Sequence, residues 1–245
     1  GNVMLPMMNP ARNLFDKDMF SFSRVNWMPN IVDDMTYNFV SAERGEYGIN
    51  VLFFNYGEQK IADIDGIIQG KFQPSSLVYG ISYARKVSKF NLGLDAKIIT
   101  HDLHTQKATG FVFGVGGYFP KVYKDLDVDV MVRNFGFAPK FGSWVSELPT
   151  SLNVAGTYPY KDFMFYGQFN KMKKHQTFGM GTSYNYKNML WGKLGYYIDD
   201  MHELTYPTFG LDFKYDKYLI GMSYIYGDNT LPLGNTIRLT INLEL

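Results

Sequence analysis

Cysteine is absent from the 245 residues. That excludes disulfide frameworks, thiolate metal sites and cysteine nucleophiles. Charge imbalance is also missing, with Lys+Arg 24 against Asp+Glu 23. A nucleic-acid binder concentrates positive charge to neutralise phosphates, so this balance speaks against nucleic acid as a partner. No apolar run reaches the ~18 to 20 residues that a transmembrane helix needs, and the mean hydropathy is −0.19. A low average leaves a membrane barrel open, because its outward and lumen-facing residues alternate and cancel. Tryptophan is scarce, at 3, yet Tyr 19 and Phe 20 carry the aromatic share to 17%, beside Gly 24. Tyr and Phe at this density suit strands and membrane interfaces.

What is present is alternation. Ile237, Leu239, Ile241, Leu243 and Leu245 share one strand face, and Thr236, Arg238, Thr240, Asn242 and Glu244 share the other. A strict period of two is the signature of a sheet with one apolar and one polar face. The same pattern sets Phe209, Leu211 and Phe213 against Gly210, Asp212 and Lys214. It sets Leu126, Val128, Val130 and Val132 against Asp127, Asp129 and Arg133. It sets Leu92, Leu94 and Ile98 against Asn91, Asp95 and Lys97. No comparable stretch shows helical spacing with caps. The second face is mostly small and polar, as at Gly80, Ser82, Gly93, Gly114, Gly116, Gly179, Gly181 and Ser183. A soluble sandwich commonly places long charged residues there, whereas small polar residues suit a lumen wall. The charged residues assigned to that wall are Asp95, Lys97, Asp127, Asp129, Arg133, Lys193, Asp212, Lys214 and Arg238. A Gly/Ser-rich wall offers no apolar pocket.

The connections alternate in length. Tight turns lie near residues 44–45, 87–88, 121–124, 159–161, 186–188 and 216–217. Longer ones lie near residues 27–33, 55–73, 101–106, 135–148, 171–174, 199–204 and 227–233. The spacing predicts an all-β fold, a transmembrane antiparallel up-and-down β-barrel of about 14 strands, with both termini on the short-turn side. Short periplasmic turns and longer extracellular loops are the asymmetry of outer-membrane barrels. The expected location is therefore the bacterial outer membrane, amid its lipid and lipopolysaccharide, with both termini periplasmic. Residues 14–245 form the barrel in this reading. Residues 1–13 are not strand-like and are expected to plug part of the lumen, through Asn9 and Pro10. Tyrosines near strand ends, among them Tyr56, Tyr118, Tyr160, Tyr186, Tyr215 and Tyr218, fit aromatic girdles at both interfaces.

Other constellations have plainer explanations. His101, Asp102 and His104 have metal-ligating side chains, but a solvated loop tip accounts for them, and His175 and His202 lie in separate loops. Gly114, Gly116 and Gly117 lack the following helix of a dinucleotide-binding loop and sit in an alternating strand. Asp127 and Asp129 are explained by a lumen wall that carries both signs of charge. Lys171, Lys173 and Lys174 read as a charged loop. No Ser/His/Asp set assembles, so neither an enzyme nor any catalytic, cofactor or metal residue is assigned.

Several short stretches resemble the PorV/PorQ family, whose barrels are similar to FadL-type fatty-acid transporters. Asn9-Pro10-Ala11 followed by Leu14 resembles the element before that family's first strand. Ser21-Phe22-Ser23 through Trp27, then Tyr37, resembles its first hairpin. Phe54-Asn55-Tyr56-Gly57-Glu58 and Gly80-Ile81-Ser82-Tyr83-Ala84-Arg85 resemble its second. Val132-Arg133-Asn134-Phe135-Gly136, with Leu148-Pro149 after it, resembles a further element. The resemblance implies a non-enzymatic partner barrel in type IX protein secretion or cell-surface attachment, working with protein partners in a larger assembly. The alternative is a FadL-like channel for small hydrophobic or amphipathic solutes, which needs an apolar pocket in the lumen.

Overall fold

A computed structural model of the chain describes residues 9–12, 18–32, 34–201, 204–228 and 230–245. The only helical element among them is a 3-10 turn, Pro10–Arg12. In chain order the strands are β1 (Met19–Asn26), β2 (Thr36–Arg44), β3 (Tyr47–Asn55), β4 (Gln59–Ala62), β5 (Ile68–Phe72), β6 (Ser75–Val87), β7 (Phe90–Asp102), β8 (Lys107–Tyr123) and β9 (Leu126–Phe137). They continue with β10 (Lys140–Phe141), β11 (Trp144–Val145), β12 (Ser151–Tyr160), β13 (Phe163–Met172), β14 (His175–Tyr186), β15 (Leu190–Asp199), β16 (Leu204–Tyr215), β17 (Tyr218–Ile225) and β18 (Ile237–Glu244).

Fourteen of these close into a single antiparallel barrel, while β4–β5 and β10–β11 are separate hairpins. Closure joins β1 to β18, from Met19 opposite Glu244 to Asn26 opposite Ile237. A closed barrel leaves no strand edge, so the ladder satisfies backbone groups that lipid cannot. Side chains then sort by parity. Outward positions are apolar and exposed, as at Met180 (57%), Leu211 (47%), Ile220 (50%) and Leu239 (52%). So broad an apolar belt on a monomer needs an apolar surrounding, and a bilayer supplies it.

Each of the six short turns begins with a left-handed residue: Gly45, Ser88, Lys124, Lys161, Lys187 and Asp216, with φ between 50° and 57°. That backbone matches the twist of a tight hairpin. Leu245 N–H donates to the Asp18 carbonyl at 2.9 Å, so the barrel begins and ends on this rim.

The connections depart from the sequence reading in two places. Residues 171–174 are not a longer connection. The β13–β14 ladder runs to Met172 opposite His175, which leaves Lys173 and Lys174 as a two-residue turn. The turn expected over residues 121–124 falls later, because β8 continues to Tyr123. The long connections near residues 55–73 and 135–148 each fold back as a hairpin of their own. Of the expected plug, residues 9–12 are described; its other residues, like Leu14 and His202, lie outside the described part.

Candidate functional site in the barrel lumen

The inner wall is built at alternate positions of the fourteen strands, and the segment 9–12 lies against it. Glycine makes this docking feasible. A Cβ on Gly93 of β7 would stand 2.2 Å from the Ala11 nitrogen and 2.4 Å from the Pro10 carbonyl carbon. A Cβ on Gly116 of β8 would stand 2.1 Å from Asn9 Oδ1. Polar bonds then hold the segment. Asn9 Nδ2 donates to the Gly117 carbonyl (3.0 Å) and to Asp129 Oδ1 (2.9 Å). Arg12 donates to both Asp129 oxygens, from Nε at 2.8 Å and Nη2 at 2.5 Å. Its guanidinium also lies 3.6 Å over the Tyr118 ring, a favourable cation–π contact. Asn9, Pro10 and Ala11 are buried.

The charged residues of the wall engage one another. Lys97 Nζ meets Asp95 at 2.5 Å, Lys193 pairs with Asp212, and Lys214 reaches Glu244 at 3.1 Å. Asp127 accepts from the Tyr118 hydroxyl (2.6 Å) and the Lys121 N–H (2.9 Å). Arg133 Nε donates to Ser151 Oγ at 3.1 Å. Arg238 stands in the wall of a lumen cavity.

That cavity corrects the expectation of a wall without an apolar pocket. About 550 Å³ of space lies between the segment 9–12 and the wall made by β12 to β18. Trp27, Tyr166, Tyr197 and Tyr206 line it beside Ala155, Gln168, Thr208 and Arg238. Tyr197 and Tyr206 are direct cross-strand partners, and their rings stack at 5.0 Å. Asn9 and Asp129 bound the cavity, so the docked segment is part of its wall. A second space of about 270 Å³ lies towards the short-turn rim, lined by Arg12, Asp127, Trp191, Lys193 and Asp212. Tyr166 borders both spaces, and its hydroxyl lies 3.2 Å from Ser183 Oγ. The small residues expected on this face coexist with inward aromatics, and two tyrosines expected in the girdles also turn inward. Tyr118 reaches Asp127, and the Tyr56 hydroxyl meets Ser76 Oγ at 3.0 Å.

Alternation contained the signal for Tyr166, Tyr197 and Tyr206, which share parity with Gln168, Lys193 and Asp212. Arg12 follows Asn9-Pro10-Ala11 directly, and no spacing pattern in the sequence marks it.

The histidines of residues 101–104 do not converge. His101 Nδ1 meets Ser76 Oγ at 2.5 Å, while the His104 ring packs 5.1 Å from Phe72. Another donor group exists on the long-loop rim, where His175, Asp199 and Asp200 place ligand atoms within 4.8 Å of one another. His175 Nε2 already meets Asp199 Oδ1 at 2.7 Å, and Asp200 accepts from the Gln176 N–H at 2.9 Å. On the same rim Lys173 pairs with Glu147 and holds that carboxyl below the usual carboxylate range.

No family model matches the chain, and no curated protein matches it. Solved structures do. The toluene transporter TodX of Pseudomonas putida superposes with a TM-score of 0.68 at 12% identity, over 100% of this chain and 94% of that one. A second structure of TodX gives 0.63 at 12% identity, over 99% and 92%. A TodX mutant described as a monoaromatic hydrocarbon channel gives 0.61 at 12% identity, over 99% and 92%. At these identities the likeness is one of fold, and the fold is that of outer-membrane channel proteins.

Proposed function

We propose that this chain is an outer-membrane channel for small apolar or amphipathic solutes, non-enzymatic, with the aromatic cavity as its binding chamber. The carrying observation is that cavity of about 550 Å³, lined by Trp27, Tyr166, Tyr197 and Tyr206. Ligand sites are typically apolar chambers of a few hundred cubic ångströms with a few placed polar groups. Here Gln168, Thr208 and Arg238 are the polar groups. TodX, a transporter and channel for aromatic hydrocarbons, has the same fold and supports this reading. The nine charged wall residues and the plug formed through Asn9 and Pro10 tune passage in it. The test is a titration of the detergent-solubilised chain with benzoate, a small aromatic anion, read through tryptophan emission. Trp27 is expected to report saturable binding, and Trp27→Phe to remove most of the signal. Equal, non-saturable quenching in both proteins would falsify the chamber.

A second reading has its own observation. The hairpins β4–β5 and β10–β11 expose apolar side chains at Ile64 (100%), Ile67 (61%) and Trp144 (61%). Such side chains suit docking to another protein, as a partner barrel in secretion or surface attachment requires. Co-purification from native membranes, lost on Ile64→Asp with Trp144→Asp, is the expected sign. A chain that purifies alone from those membranes counts against it.

A further inference from the structure

Both rims of the barrel carry lysines. On the long-loop rim three of them are paired within the chain. Lys71 pairs with Glu58 at 2.7 Å, Lys107 with Asp102 at 2.7 Å, and Lys173 with Glu147. On the short-turn rim, five of the six turns contain a lysine: Lys89, Lys124, Lys161, Lys187 and Lys217. None of these five has an ion-pair partner among the described residues. Turn chemistry does not call for them. The left-handed first position favours Gly, Asn or Asp, yet Lys124, Lys161 and Lys187 occupy it at φ 52°, 54° and 54°.

Each of those three lysines is placed against the outer surface. Lys124 Nζ stands 5.4 Å over the Tyr123 ring, Lys161 Nζ 5.5 Å over Tyr160, and Lys187 Nζ 5.1 Å over Tyr186. The three tyrosines are exposed by 67%, 54% and 50% and lie on the apolar outward face. A tyrosine of this kind sits at headgroup depth with its ring against the acyl chains. A lysine beside it carries its ammonium to the same depth, within reach of lipid phosphates.

We propose that the short-turn rim is a binding collar for anionic glycerophospholipids of the adjoining leaflet. The Tyr-Lys units at residues 123–124, 160–161 and 186–187, with Lys217, supply its contacts to the phosphates. The collar is independent of what passes through the lumen. Charge complementarity selects this occupant: three ammonium groups without an ion-pair partner among the described residues stand over outward tyrosines at one depth, and the described residues of the opposite rim show no such Tyr-Lys unit. The rings of Tyr123, Tyr160 and Tyr186 meet the glycerol and upper acyl region, while the ammonium groups meet the phosphates.

The test is native mass spectrometry of the full chain in a neutral detergent, titrated separately with phosphatidylglycerol, phosphatidylethanolamine and lipid A. The variant K124Q/K161Q/K187Q/K217Q is expected to weaken phosphatidylglycerol retention by ~10-fold or more, given the affinity one lysine adds near a charged membrane surface. Phosphatidylethanolamine retention is expected to stay unchanged. The four-arginine version should keep phosphatidylglycerol, and K71Q/K107Q/K173Q on the other rim should leave it unaffected. Heat-modifiable gel mobility identifies variants that keep the barrel. Should the four-glutamine variant not fold, the single variants K124Q and K187Q carry the same comparison at smaller effect. Equal phosphatidylglycerol retention in wild type and folded variants overturns the collar. A loss confined to lipid A overturns the assignment to glycerophospholipids.

Discussion

Arg12 and Asp129 stand 117 residues apart in the chain and meet inside the lumen through two hydrogen bonds, of 2.8 and 2.5 Å. Their side chains are 13% and 8% exposed. Removing one partner of so enclosed a pair strands the other and costs about 3 kcal/mol. That cost falls on the docking of segment 9–12, because the barrel ladder does not depend on it. Arg12→Ala, and more completely deletion of residues 1–13, is expected to raise single-channel conductance in planar bilayers severalfold. Heat-modifiable gel mobility should show an intact barrel in both. Conductance that stays low after the deletion would mean that loops or a partner seal the lumen.

Steric eviction provides a route that leaves every charge in place. Any Cβ at Gly93 or Gly116 collides with the backbone of residues 10–11 or with Asn9. Gly93→Val is therefore expected to mimic the deletion in conductance, while overpacking typically costs about 1–3 kcal/mol. Gly167, where a Cβ meets nothing within 4 Å and which has outward parity on β13, is the control for a valine that displaces nothing. If Gly93→Val and Gly167→Val conduct alike, the docked segment does not limit flow.

The barrel was legible in the sequence because lipid outside and small polar groups inside write a period of two along every strand. The closing strand shows why: Ile237, Leu239 and Ile241 alternate with Arg238, Thr240 and Asn242 without a fault. The cavity was less legible. Tyrosine serves both faces, so its identity does not say which way it points, and only parity within the strand does. Tyr196 and Tyr197 are neighbours, one turned outward and one into the lumen. The β10–β11 hairpin was hidden for another reason. Lys140–Phe141 and Trp144–Val145 are too short to show alternation. The two-residue turn at Lys173 and Lys174 contains neither of the residues that usually mark one, Gly or Asn.

Membrane depth separates the two faces of β16. Leu211 is 47% exposed on the outer belt, while Asp212 faces the lumen and pairs with Lys193. Leu211→Arg is expected to cost ~2–4 kcal/mol, as for a charge near the bilayer midplane. An arginine at 212 would meet Lys193, so Asp212→Asn is the better comparison, and its loss should be well below that. Reversible urea unfolding in lipid vesicles measures both. Equal losses would contradict the face assignment.

The two rims predict an orientation in the cell. Both ends of the barrel lie on the short-turn rim, which in outer-membrane barrels faces the periplasm. Cysteines placed at Asn188 or Asp216 should resist an impermeant maleimide on whole cells. Those placed at Asp65 or Gly142, in the long connections, should react. The native chain has no cysteine, so the signal has no background. Labelling at Asn188 in intact cells would reverse the topology.

In the proposed channel, Tyr166 stands where two spaces of the lumen meet. Its ring borders the aromatic chamber and the smaller space beside Arg12, Lys193 and Asp212. The hydroxyl lies 3.2 Å from Ser183 Oγ on the neighbouring strand, which fixes the ring across the boundary. Tyr166→Ala removes both the ring and its anchor and should join the two spaces. Tyr166→Phe keeps the ring and loses the bond to Ser183, which contributes about 1 kcal/mol. In the background lacking residues 1–13, alanine is expected to raise conductance and to weaken benzoate binding, since the chamber loses one of its aromatic walls. Phenylalanine should keep binding and raise conductance only slightly. If the alanine variant changes neither quantity, solutes do not pass between these two spaces, and the route lies elsewhere along the wall.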